Sequence, residues 1–242
     1  MTDDIIVKEH NDVLYLTLNR PETGNAVSDE MAVELASLLR SASSKSRLVV
    51  LRGAGASFCV GRAAGRSKLS SQEALERRRS TEVIFDCYAA FRSIPVPILS
   101  LVQGKAIGFG CSIAALCDIT IATEDAWFQI PEMSHGTMPT MVMSSLIDRL
   151  PRKAISHLVY TSYPISAERA LSFGIVGDIV SVDNADAYLE ETCAAILRAP
   201  PPATLGVKEY LRTAMHMDVQ GAVDYARNIH ATINSSSEMK RG

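Results

Sequence analysis

The chain has 242 residues, of which 47% are hydrophobic and 21% charged, and its formal net charge is −3. A chain of this length buries roughly 70% of its unfolded surface, enough for one large α/β domain or a domain with a small appendage. The charge balance excludes a basic footprint for nucleic acid or for an anionic membrane, so any anionic ligand must meet a local cluster of Lys and Arg.

The N-terminus, MTDDIIVKEH, is acidic and has no basic start before an apolar run, so no signal peptide is expected. Apolar stretches are interrupted too early to span a bilayer, which makes the cytoplasm the expected location. Residues 5–19 hold two apolar runs separated by His10, Asn11 and Asp12, turn chemistry that predicts a β-hairpin. A loop over 20–24 follows. Ser28 then offers an N-cap to a helix with Met31, Leu35, Leu38 and Leu39 at helical spacing. Residues 48–51 read as a short buried strand, which completes a βαβ unit.

The spacing predicts a helix over 71–94, with Arg77, Arg78 and Arg79 on a solvated face and Pro95 and Pro97 beyond its end. A strand over 98–102 leads to a glycine-bearing turn at 104–110, a buried helix over 111–117 and a strand over 119–122. From Ser144 the pattern is mainly helical. One helix is expected over 154–160, and Ser166 caps another that Gly174 ends. A short strand over 175–182 comes next, and Pro200-Pro201-Pro202 turns the chain into a new helix. Cysteines 59, 87, 111, 117 and 193 are odd in number and lack metal-ligand spacing, so they read as core and no metal is expected.

Three segments carry the chemistry: residues 57–65, 104–118 and 128–136. The middle one is a glycine-rich turn entering an apolar helix, which leaves backbone N–H groups unpaired at a helix N-terminus. The helix dipole makes that point attractive to developing negative charge. It lacks the Gly-Lys-Ser/Thr ending of a Walker loop and the three-glycine spacing of dinucleotide sites.

Leu18-Asn19-Arg20-Pro21 with Asn25-Ala26, Phe58-Cys59-Val60-Gly61, the 104–118 block, Pro131-Glu132 and Ala167-x-x-Ala170-x-x-x-Gly174-Ile175-Val176 occur in order. Together they resemble the crotonase superfamily, also called the enoyl-CoA hydratase/isomerase family, over nearly the whole chain. The resemblance implies an α/β fold, a crotonase-like spiral of repeated ββα units over residues 1–190. A C-terminal helical region over 191–242 would drive assembly into a homotrimer or hexamer. It implies an acyl-CoA thioester as partner, with no cofactor beyond the coenzyme A of the substrate. By position, the N–H groups of Arg62 and Phe109 would form an oxyanion hole for the thioester carbonyl. Ala26, Val60, Gly61 and Gly108 would line the substrate site, and Glu132 would shuttle the proton.

The chain departs from the family pattern at several of these positions. Arg62 and Ala63 stand where many members have a small residue and Asp, and Phe109 replaces the usual middle glycine of the turn. Ser112 replaces the second glutamate of the hydratases, and Thr140 stands where some members place Asp. A single carboxylate suits moving a double bond from the β,γ to the α,β position, so isomerisation is expected ahead of hydration. His135 could tune or replace Glu132, Ser112 reads as packed or water-binding, and Arg62 either grips a substrate anion or faces solvent. Met138, Met141 and Met143 are expected to line or pack the acyl pocket. Decarboxylation, thioester hydrolysis and non-catalytic binding of acyl-CoA or a protein are the alternatives. Residues 235–242 resemble the approach to the family's final helix.

Overall fold

In the computed structural model the described residues are 3–42, 46–63 and 73–240. Strands β1 (Ile5–His10) and β2 (Val13–Leu18) pair antiparallel, with His10 opposite Val13. Asn11 and Asp12 between them take φ of 47° and 64°, the left-handed pair that a two-residue hairpin needs and that Asn and Asp tolerate. Helix α1 (Asp29–Ala42) buries Met31, Ala32, Leu35, Ala36 and Leu39 on one stripe, then returns the chain to β3 (Leu48–Gly53), parallel to β2. The predicted βαβ unit is therefore present. Helix α2 (Ala74–Ser93) carries the chain to β4 (Ile98–Val102), parallel to β3. Residues 71 and 72 of the predicted helix, and Ala64 and Gly65 of the 57–65 segment, lie outside the described residues.

The chain continues through β5 (Lys105–Ile107), α3 (Phe109–Leu116), β6 (Ile119–Thr123), β7 (Trp127–Gln129), α4 (Thr140–Leu146) and α5 (Arg152–Thr161). It ends with β8 (Ile165–Ser166), α6 (Ala167–Phe173), β9 (Asp178–Val180), α7 (Ala185–Leu197), α8 (Pro201–Ala214) and α9 (Val219–Asn234). One sheet has the order β1-β2-β3-β4-β6-β9 and is parallel after its first pair. The second, β5-β7-β8, is reached between successive strands of the first. Single bridges extend it backwards, Cys59 to Ala106 and Val27 to Arg62. Each turn of the chain thus visits both sheets and then a helix, which is the expected ββα spiral.

Three details differ from the sequence expectations. The glycine-bearing turn contains β5, a three-residue strand too short to have a period. Helix α3 begins two residues before Cys111, because Gly108 supplies a φ of 52° and ψ of −110° at its N-cap. The strand expected over 175–182 contracts to Asp178–Val180, since the Ile175 N–H still serves the C-cap of α6 by donating to the Ala170 carbonyl.

The core has two sides, which explains the unbroken apolar runs of β3 and β4. One face of the large sheet packs on α1, α2 and α3. On the other, Leu48, Val50, Leu99, Leu101 and Ile121 meet Ala185, Leu189 and Cys193 of α7. Position 190 therefore falls inside a helix that belongs to the sheet's second face. All five cysteines are reduced and buried. Among the described residues no helix is long and apolar enough to cross a membrane, and no group of three His, Cys, Asp or Glu side chains could hold a metal ion.

Candidate active site

The site forms where the second sheet meets the N-terminus of α3. Cys59 and Ala106 are bridged in parallel: Cys59 N–H donates to Lys105 O and Ile107 N–H to Cys59 O. Three residues beyond this bridge on its two strands lie Arg62 and Phe109. In the Val27–Arg62 bridge, Val27 N–H donates to Gly61 O and Ala63 N–H to Val27 O, so the Arg62 N–H faces the other way. Phe109 is the first residue of α3, and its N–H belongs to the first turn, which has no intrahelical acceptor. Arg62 and Phe109 therefore follow the Cys59–Ala106 bridge at matching positions, each with a backbone N–H outside the bridge's own hydrogen bonds.

Close backbone approach makes this possible. A Cβ on Gly110 would lie 2.1 Å from Cys59 O, so only glycine lets α3 start here. Gly61 has a φ of 115°, and Val60 N–H donates to Gly24 O, which seats Ala26, Val60 and Gly61 side by side. Asn25, to which sequence reasoning gave no role, organises that corner. It is fully buried, has a φ of 60°, accepts from Arg20 N–H and donates to Ala54 O and Ser57 O at 2.8 and 2.7 Å. The signal available was an Asn suited to the left-handed region, but its partners are distant in sequence.

Glu132 enters from the third segment. Strand β7 runs parallel to β5, and Gly108 N–H donates to Gln129 O at 2.8 Å, which sets the following 3-10 turn (Glu132–His135) against Gly108. A Cβ on Gly108 would stand 2.8 Å from Glu132 Oε1. Burial raises the Glu132 pKa above its ordinary value, partly offset by its own backbone N–H and by the charge of His135. His135 itself is exposed. Ser112 sits one turn into α3 from Gly108, with its N–H on Gly108 O, and is completely buried. Both Ser112 Oγ and Glu132 Oε2 are buried without a hydrogen-bond partner.

Other side chains settle as follows. Arg62 is exposed and pairs with Asp29 at 2.6 Å, which matches the solvent-facing one of the two roles considered for it. Phe109 stacks on Tyr88 of α2, with ring centroids 5.5 Å apart and planes at 20°. Sequence reasoning missed Tyr88, which looked like one more apolar position of α2. Met138 and Met143 line a cavity of about 250 Å3 with Met133, Ile155 and Val159, and Met141 and Met143 both pack on the main core. Burial pushes the thiols of Cys59 and Cys111 up to about 12, so neither is a nucleophile near neutral pH.

The family model described as enoyl-CoA hydratase/isomerase matches residues 8–242. The chain is 26% identical to 2,3-dehydroadipyl-CoA hydratase of Escherichia coli K12, over 99% of this chain and 93% of that protein. It is 26% identical to a short-chain-enoyl-CoA hydratase of Clostridium acetobutylicum, over 98% and 92%. An enoyl-CoA hydratase structure from Mycobacterium smegmatis superposes with a TM-score of 0.92 at 24% identity, over 98% of this chain and 93% of that one, and so has the same fold.

Proposed function

Since the chain belongs to the enoyl-CoA hydratase/isomerase family, we propose that it acts on an acyl-CoA thioester through an enolate, with Glu132 as its carboxylate base. The thioester oxygen lies between the N–H groups of Arg62 and Phe109. Ala26, Val60, Gly61 and Gly108 contact the thioester and its pantetheine arm. Glu132 takes a proton from Cα, and the C–H electron pair moves into the enolate that the two N–H groups hold. Fixed donors in a dry site stabilise such charge without reorganising, and each is worth about 3 kcal/mol of barrier.

The observation that carries the finer reading is the pairing of one half-buried carboxylate, its Oε2 buried, with a neutral Ser112 one turn from Gly108. With a β,γ-unsaturated thioester, Glu132 delivers the same proton to Cγ, and the double bond moves into conjugation. Hydration is the second reading, favoured by the hydratase names of both relatives and by the unpartnered oxygens of Ser112 and Glu132, which suit a bound water. A purified sample given a 3-enoyl-CoA and, separately, a 2-enoyl-CoA decides between them by absorbance and mass. Conjugation of the first without hydration of the second supports isomerisation, and a mass gain of one water on the second supports hydration. Binding without turnover of either would move the protein to the other thioester reactions or to a non-catalytic role.

Assembly is part of the same proposal. Val207, Leu211 and Met215 form an exposed apolar stripe along α8 at helical spacing, and α9 buries no residue within the single chain. These helices supply the self-association face of a trimer or a dimer of trimers.

A further inference from the structure

A chain of net charge −3 meets an anion only through a local excess of cations, and the structure holds one outside the candidate active site. Helix α3 begins at that site with Phe109, and Asp118 lies beyond its other end, about 12 Å of helix away. There Asp118 and Asp148 line a cavity of about 290 Å3 with Arg92, Arg149, Lys208 and Arg212. Four cations against two carboxylates leave an excess of two positive charges. Both carboxylates are already engaged. Arg92 grips Asp148 through two nitrogens, and Lys208 Nζ meets Asp118 at 2.5 Å. Arg149 Nε stands 3.7 Å from Asp148, too far for a hydrogen bond, and is buried without a hydrogen-bond partner. Arg212 in the last turn of α8 and His216 just beyond it are exposed and border the same cavity. Among the described residues their side chains have no hydrogen-bond or ion-pair partner.

The groups left over select the occupant. Arg149 and Arg212 can only donate, and His216 can donate as well, so the occupant is an acceptor. They come from two elements, the segment after α4 and the end of α8, so its oxygens are needed in more than one direction. A tetrahedral phosphate has such oxygens, suits guanidinium donors, and carries about −1.5 to −2 charges at pH 7, which matches the excess of two. A planar carboxylate offers two oxygens and a single charge. Leu211 and Met215 add apolar wall to the cavity, which leaves room for a short organic body on the phosphate. We infer that this cavity binds a phosphate group, free or as a small phosphomonoester, between Arg149, Arg212 and His216. The inference goes beyond the acyl-CoA reading and needs no thioester in the active site.

Titration calorimetry at constant ionic strength, with inorganic phosphate and with glycerol 3-phosphate, tests the site. The wild type should take up one phosphate per chain, and Arg212→Gln should weaken that binding about ten-fold. Arg212 is exposed, so its variant keeps the fold, which a melt without phosphate checks. Arg227→Gln removes another exposed cation, on α9, and should leave the affinity unchanged. Tighter binding of glycerol 3-phosphate would assign the site to an organic phosphate, and equal or weaker binding to the free ion; either supports it. Equal losses in the two variants would reduce the cluster to general surface charge and overturn the inference. Displacement of phosphate by one equivalent of hexanoyl-CoA would place the cluster within the thioester site and overturn it too. No uptake at all, as when carboxylates of a neighbouring copy fill the cavity, would do the same.

Discussion

Glu132 stands against the backbone of Gly108 with one oxygen unpartnered, and burial is the main influence on its ionisation. Losing its proton costs more in the folded chain than in the unfolded one, so its folded pKa is the higher. The stability tied to this group is complete below the unfolded carboxylate pKa and is lost as pH rises through the raised folded value. Glu132→Gln abolishes that loss. Thermal melts across pH should therefore show the variant gaining on the wild type from acid toward neutral pH. Turnover should fall by about 10²–10⁴-fold, as for loss of a positioned general base. A variant less stable at neutral pH would show that the carboxylate is held by contacts other than those described. Because a base works ionised, the acid limb of kcat/KM should lie above the ordinary 4.5.

At the scale of elements, the site depends on how closely α3 starts to its neighbour strand. Gly110 lies where any side chain would collide with the Cys59 carbonyl, and the colliding atom is backbone, which cannot swing aside. Gly110→Ala must therefore push α3 away from the strand that carries Arg62. The expected cost is about 1–3 kcal/mol in urea unfolding, by analogy with other overpacked cores, together with loss of turnover from a misplaced Phe109 N–H. Wild-type activity in a stable Gly110→Ala protein would exclude the paired N–H arrangement. The other end of α3 is held differently. Asp118 accepts from Ile98 N–H and from Lys208 Nζ at 2.5 Å, which ties α8 to the large sheet through a cation only 7% exposed.

For the whole molecule, α8 and α9 pack on each other through Gly206 against Ile233 and the stacked rings of Tyr210 and Tyr225, 5.9 Å apart. The outer face of α8 remains apolar, with Leu211 at 53% and Met215 at its C-cap at 70% exposure, a pattern that a solitary domain avoids. Leu211→Asp should release monomers with an unchanged far-ultraviolet spectrum, read by light scattering after size exclusion. A wild type that already runs as a monomer would remove the basis for the self-association face.

The hairpin, the βαβ unit and the buried strands 48–51 and 98–102 were legible in the sequence because each rests on local rules. Left-handed turn residues, helical spacing and apolar runs act within a few positions. The site segments were legible through their order and resemblance, and the structure sets Glu132 against Gly108 with Ser112 one turn into the helix that Phe109 begins. Only the tertiary structure decided the second sheet, whose strands of two or three residues have no readable period. It alone decided that Arg62 pairs with Asp29, that Asn25 clamps two loops, and that Tyr88 stacks on Phe109. Those contacts join residues far apart in the chain, and their geometry is set by how the layers pack, which no local pattern encodes.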